Sequence, residues 1–230
     1  VKLEHKRYSI NENILGITWS GSEIDEFQMP AVDAWKLCKP RTEWPEVPYQ
    51  AEMLIKKGRV VSVNGIEMSG RDILNLLNNA FGEYGVGRFI YVGDVVIGLK
   101  GRILFECPAI TVLLTAMRAL QEVVMTKHQN QFKHIIAARW AELVYGGFFY
   151  EPHKRDLDAY LNSSVESVSG VVTVQTCGGS VSAVSVQSEN ILQDENSTYA
   201  QKAAWSPAEA VGFINLQGMS SALAAKVQQR

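Results

Sequence analysis

The residues whose types and spacing could do chemistry sit mainly at the start of this chain. Ser9-Ile-Asn-Glu12 has the S-x-x-E spacing of a capping box. Such a box predicts a short helical turn at Ser9, with backbone N–H groups and a hydroxyl turned towards an anion. Plain capping is the competing reading of the same four residues. Thr18, nine residues on, adds a second hydroxyl if the chain folds back.

Other familiar chemistries are missing. The four histidines, His5, His128, His134 and His153, form no H-x-x-x-H or H-E-x-x-H pair, so no metal site is predicted. Cys38, Cys107 and Cys177 are far apart with no C-x-x-C, a pattern expected of a reducing compartment rather than a disulfide scaffold. Gly85-Val-Gly-Arg88 is the nearest approach to a phosphate loop, and it reads as a tight turn. From the residues alone the chain has no complete active site and no catalytic residue is assigned.

The elements that must position these groups follow from composition and periodicity. With 230 residues, 47% of them hydrophobic, the chain can bury a core. Its net charge of -2 leaves no basic excess for nucleic acid or an anionic membrane. The most apolar run, residues 107 to 117, is about half the roughly 20 residues of a membrane-spanning helix. A soluble, cytoplasmic protein is expected. Asn162 and Asn196 open glycosylation triplets that carry no weight here, and a chain that opens on Val1 rather than Met is expected to be a piece of something longer.

Four prolines between positions 30 and 48, with Trp35 and Trp44 among them, predict an extended segment that wraps a surface and anchors through its aromatics. Residues 51 to 57 and 59 to 63 read as short strands. Ser69 and Asp72 cap a helix bearing Ile73, Leu74, Leu77 and Phe81. Three β-rich segments follow at 89 to 92, 95 to 99 and 103 to 106. Pro108 opens a largely apolar helix to Met125, with a polar stripe at Thr111, Thr115, Arg118 and Glu122.

Further helices are predicted over 131 to 145, with Phe132, Ile136, Trp140 and Leu143 on one face, and over 156 to 165. A valine-rich hairpin spans 172 to 186 around Cys177-Gly-Gly. A last helix over 219 to 229 shows one stripe, Met219, Leu223 and Val227, too thin to build a core and therefore expected to dock on a partner subunit. Strands and helices mix without βαβ alternation, so the fold class is α+β: a mixed antiparallel sheet with packed helices, a valine-rich hairpin and a C-terminal oligomerisation helix.

Six stretches, taken in order, carry a family resemblance: Tyr8-Ser-Ile-Asn-Glu-Asn-Ile-Leu15, Gly85-Val-Gly-Arg88, Ile97-Gly-Leu-Lys100, Glu106-Cys-Pro-Ala109, Ala141-Glu-Leu-Val-Tyr145 and Gly212-Phe-Ile-Asn215. With these landmarks the chain resembles the C-terminal domain of argininosuccinate synthase, as a divergent member, over nearly its whole length. The resemblance implies a domain at 1–218 and an oligomerisation helix at 219–230, in a homotetramer, with the ATP-binding N-terminal domain absent from this chain. It also implies the reaction. The ureido oxygen of citrulline attacks the α-phosphorus of ATP to give citrullyl-AMP and pyrophosphate, and the amine of aspartate then displaces AMP. ATP with its Mg would be held mainly by the N-terminal domain, and not by this chain alone, which is expected to be inactive.

In the family the C-terminal domain contributes two serines, a glutamate and a tyrosine to the citrulline pocket. By resemblance the serines fall on Ser9 and Thr18, which keep hydroxyls. The glutamate falls on Gly93 and the tyrosine on Phe105, which do not match. The neighbouring Asp94 would replace the lost carboxylate only through a bulge at Gly93, because successive strand residues face opposite ways. Three expectations stay open at this point: an ordinary family member with a drifted pocket, one redirected to an acceptor lacking the α-amino group, or a non-catalytic oligomeric scaffold.

Overall fold

The computed structural model describes residues 7–194 and 203–229. It divides into two compact units, Val1–Ile191 and Leu192–Arg230, and the fold is α+β.

The first unit opens with strands β1 (Ser9–Asn13) and β2 (Gly16–Ser20). The expected helical turn at Ser9 is therefore not there. Ser9 to Asn13 pairs with β2 as an antiparallel hairpin, Ser9 opposite Ser20 and Asn13 opposite Gly16. The turn is closed by the Asn13 carboxamide, which accepts the Leu15 N–H at 2.8 Å. Gly16 has a φ of +144° and sits against the Glu106 carbonyl, so no side chain fits.

The proline-rich segment runs through two short 3-10 turns, Val32–Ala34 and Arg41–Glu43, and both tryptophans anchor it. Trp35 meets Trp19 edge to face at 5.8 Å and lies under the Arg88 guanidinium, 4.7 Å from the ring centre. Trp44 donates its indole N–H to the Lys39 carbonyl at 2.8 Å. Its ring fills the space where Gly85, with φ at +70°, would otherwise carry a side chain. That contact makes Gly85-Val-Gly-Arg88 a tight turn packed on an aromatic, as expected.

Strands β3 (Gln50–Lys56), β4 (Arg59–Val63) and β5 (Ile66–Glu67) come next, followed by helix α1 (Gly70–Gly82). Ser69 caps α1 through its hydroxyl, which accepts the Asp72 N–H at 3.2 Å. Strands β6 (Arg88–Asp94) and β7 (Lys100–Glu106) form a hairpin. Residues 95 to 99, expected to be β-rich, are its turn, because Gly98 takes a φ of +82° and donates to the Val95 carbonyl at 2.7 Å.

Helices α2 (Pro108–Val124), α3 (Lys127–Tyr145) and α4 (Pro152–Ser164) follow, then β8 (Gly170–Cys177) and β9 (Ser180–Gln187). Pro108 opens α2, and Thr111 and Thr115 each turn a hydroxyl back to the carbonyl four residues earlier. Helix α3 starts earlier than the periodicity predicts because Thr126 and Gln129 build a full capping box. The face expected of α3 is not a core face, since only Leu143 is buried and Phe132 is exposed.

The strands form two antiparallel sheets, ordered β1-β2-β7-β6 and β5-β4-β3-β8-β9. The larger sheet carries the main core, in which Met53, Ile55, Val172 and Val174 meet Leu77, Phe81, Val112 and Leu120 of α1 and α2. Full burial of side chains of this size contributes about 1.5–3 kcal/mol each. Ile17, Trp19 and Leu104 from the smaller sheet pack against Ile24 and Ala34.

The second unit contains helix α5 (Pro207–Gln228), capped by Ser206 and Glu209. It begins a full three turns before the expected start. It also has no single stripe, because Val211, Phe213, Ile214, Leu216, Met219, Leu223 and Val227 are all exposed around it.

Candidate functional site

The smaller sheet has two unlike faces, and the alternation of its strands creates them. In β2, Ile17 and Trp19 point to the buried side, as do Leu104 and Glu106 in β7. The residues between them, Thr18 and Phe105, point the other way and are partly exposed.

All four positions singled out in the sequence fall on that open face. Thr18 is directly opposite Phe105, and Phe105 is directly opposite Phe89. Ser9 shares the face because it pairs with Ser20, two residues along β2 from Thr18. Gly93 shares it because it is four residues along β6 from Phe89 and pairs with Gly101. At about 4.8 Å between strands and 3.3 Å per residue, the four positions span a patch roughly 14 Å on each side. An extended amino acid fits within that span.

The chemistry of the open face is neutral. Its strand residues are Ser9, Asn11 and Asn13, then Gly16, Thr18 and Ser20, then Gly101, Ile103 and Phe105, then Phe89, Tyr91 and Gly93. None carries a charge. The face offers hydroxyls and carboxamides near β1 and β2, and aromatic rings with two bare glycines near β6. Such a surface can hold a carboxylate by hydroxyl donation, but it has no carboxylate to pair with an ammonium.

The bulge that would have brought Asp94 onto this face is absent. Pairing between β6 and β7 runs without interruption from Arg88 opposite Glu106 to Asp94 opposite Lys100. Asp94 therefore points to the other side, where Lys100 pairs with it at 2.5 Å.

Two buried arrangements hold this face in place, and neither was read from the sequence. The Glu106 carboxylate, fully buried, accepts three backbone N–H groups: Lys36 at 2.9 Å, Leu37 at 2.8 Å and Cys38 at 2.9 Å. It clamps the proline-rich segment to the end of β7, next to Phe105. Burial, reinforced by the nearby Glu106 charge, pushes the Cys38 thiol up to about 12. Cys38 donates to the Val86 carbonyl at 3.1 Å and is a packing residue.

The second arrangement fixes β1. Tyr8, next to Ser9, donates its hydroxyl to Glu23 at 2.5 Å, and Glu23 also accepts the Ala31 N–H at 3.2 Å. Arg7 bridges Glu23 at 3.3 Å and Asp33 at 3.0 Å. The Tyr8 hydrogen bond is the largest influence drawing Glu23 down to about 2, while burial and the same bond push Tyr8 up to about 12.

No group of three or more His, Cys, Asp or Glu side chains converges among the described residues. The strand residues of the open face include no cation that a triphosphate would need, so this face does not fit ATP or its metal. No described helix is long and apolar enough to cross a membrane.

Comparison with known proteins places these features in a family. Residues 8–224 match the family model of the arginosuccinate synthase C-terminal domain. The chain is 51% identical over 229 residues to the argininosuccinate synthase of Xylella fastidiosa, covering 100% of this chain and 57% of that protein. It is 48% identical to the Xanthomonas campestris argininosuccinate synthase, again over 100% of the chain and 58% of the relative. The Methanocaldococcus jannaschii argininosuccinate synthase is 31% identical over 97% of the chain and 56% of its own length. The chain thus spans less than three fifths of the length of these relatives.

Proposed function

The chain belongs to the argininosuccinate synthase family, as a counterpart of its C-terminal domain, and from that premise we propose that it is the acceptor-binding and subunit-associating half of an ATP-dependent carbon–nitrogen ligase. The acceptor is citrulline and the nucleophile is aspartate, as in arginine biosynthesis. One observation carries this reading: Ser9, Thr18, Gly93 and Phe105, separated by up to 96 positions, come to a single open face.

On that face the Ser9 and Thr18 hydroxyls donate to the carboxylate of the acceptor, which fixes one end of an extended ligand. Activation of the ureido oxygen by ATP, and displacement of AMP by aspartate, belong to an N-terminal ATP-binding domain outside these residues. The work of this chain is to bind and orient. Helix α5 completes the assembly by docking on another subunit of a homotetramer.

A second reading is favoured by the neutrality of the face. With Gly93 bare and Asp94 turned away, no carboxylate meets an α-ammonium, which suits a ureido or amide acceptor that lacks one.

Pyrophosphate release tests both. The isolated chain is expected to release none from ATP, and the chain joined to its ATP-binding domain is expected to release it with citrulline and aspartate. Release only with the desamino analogue of citrulline would select the second reading, and release by the isolated chain would overturn the division of labour.

A further inference from the structure

The polar stripe of α2 does more than face water. Thr111, Thr115, Arg118 and Glu122 all line a cavity of about 770 Å³ between α2 and α3. The two threonine hydroxyls donate to the Cys107 and Thr111 carbonyls, so they have no proton left for a ligand. Charge is confined to the other half of the stripe, where Lys133 joins Arg118 and Glu122 from α3.

Two cations thus meet in one cavity with little to neutralise them. Burial, and after it the charge of Arg118, holds the Lys133 ammonium below its ordinary value, against the opposing influence of Glu122. Lys133 donates to the buried Gln121 carboxamide, which takes one of its three protons and brings no charge. Among the described residues no carboxylate forms an ion pair with either cation. Arg118 and Lys133 against Glu122 leave one positive charge unmet.

The cavity is apolar away from that end. Ile110 and Leu114 line it one and two turns before Arg118 on the same side of α2, so the apolar wall runs for about 12 Å from Ile110 to the cationic turn. Ala137 of α3 and Phe89 of β6 also line it. Phe89 stands on the acceptor face, so the cavity adjoins that face, but its walls include neither Ser9 nor Thr18.

We propose that this cavity is a second ligand site, for an amphipathic monocarboxylate whose carboxylate bridges Arg118 and Lys133 and whose apolar chain lies along Leu114 and Ile110. A single negative charge balances the cationic end. The guanidinium can take a carboxylate through two N–H donors, and the Lys133 ammonium has protons to spare. A dianionic phosphate exceeds the charge to be met, and a cationic head group meets charges of its own sign. The assignment does not rest on the citrulline reading.

The test is calorimetric titration of the chain joined to its ATP-binding domain with octanoate, and with octylamine and octyl phosphate at pH 8 as controls of head-group charge. Saturable binding of octanoate is expected, with octyl phosphate weaker and octylamine not bound. Arg118 is exposed, so Arg118→Gln should fold. Loss of a charged hydrogen-bond partner should weaken octanoate about tenfold to a hundredfold, while the affinity for citrulline stays as it was. Lys133→Met should weaken octanoate similarly. No saturable octanoate binding, equal binding of octylamine, tighter binding of octyl phosphate, or an octanoate affinity unmoved by Arg118→Gln and Lys133→Met would each overturn the assignment.

Discussion

The Glu106 carboxylate accepts the Cys38 backbone N–H at 2.9 Å across 68 positions of sequence, in a site from which water is excluded. Together with the N–H groups of Lys36 and Leu37 it ties the proline-rich wrap to β7. Glu106→Gln puts an amide NH2 against N–H donors and removes the charge. Hydrogen bonds to a charged group contribute about 1.5–3 kcal/mol each, so a loss of roughly 3 kcal/mol or more is expected. Calorimetric unfolding should show a fall in Tm of about 6–12 °C.

The Tyr8–Glu23 bond gives β1 a dependence on pH. Glu23 is drawn down from 4.5 to about 2, so its contribution is fully present above 4.5 and disappears as the pH falls towards about 2. Tyr8 is pushed from 10.0 up to about 12, so the same bond is lost again as the pH rises through that value. Acid unfolding of Glu23→Gln should lack the part of the slope between 4.5 and 2 that this pair supplies. Identical slopes would show that the bond does not form in solution.

Helix α5 carries exposed apolar side chains around much of its circumference, with Phe213 and Leu216 exposed to 65% and 70%. A helix of that kind is stable only when covered. Deletion of residues 207–230 is expected to lower the number of subunits per particle measured by light scattering, and an unchanged number would show that α5 takes no part in association.

Gly93→Glu with Phe105→Tyr should strengthen citrulline binding. A paired charge on the α-ammonium is worth about 2–5 kcal/mol, which corresponds to roughly thirtyfold to several thousandfold in affinity. The added Tyr hydroxyl contributes about 0.5–1.5 kcal/mol more. Because the new stem needs the space of the Tyr91 hydroxyl, that flexible side chain has to swing out. Calorimetric titration of the chain joined to its ATP-binding domain measures the gain.

The parts of this fold that the sequence revealed are those where burial imposes a period. Ala51, Met53 and Ile55 are buried between the exposed Glu52 and Lys56 in the strand read over 51 to 57, and the helix from Pro108 is apolar because it faces the larger sheet. Ser9 to Asn13 misled because all five residues are exposed, so no apolar alternation competed with the S-x-x-E spacing. Val95 to Leu99 misled in the opposite way, since β-branched residues occupy a turn whose geometry Gly98 alone supplies. The three N–H groups on Glu106 and the ring of Tyr91 over Gly93 leave no local signature. Both depend on partners brought together by strand register or by contacts across the chain.

The central claim is that the face bearing Ser9 and Thr18 binds the acceptor. Its most direct measurement is the calorimetric affinity of citrulline for the chain joined to its ATP-binding domain, compared with the Ser9→Ala/Thr18→Val variant. Both side chains are at the surface, so the fold should survive the change. Loss of two hydroxyl donors to a carboxylate predicts a drop of roughly a hundredfold or more. An affinity equal to that of the unmodified protein would place the acceptor elsewhere and contradict the account.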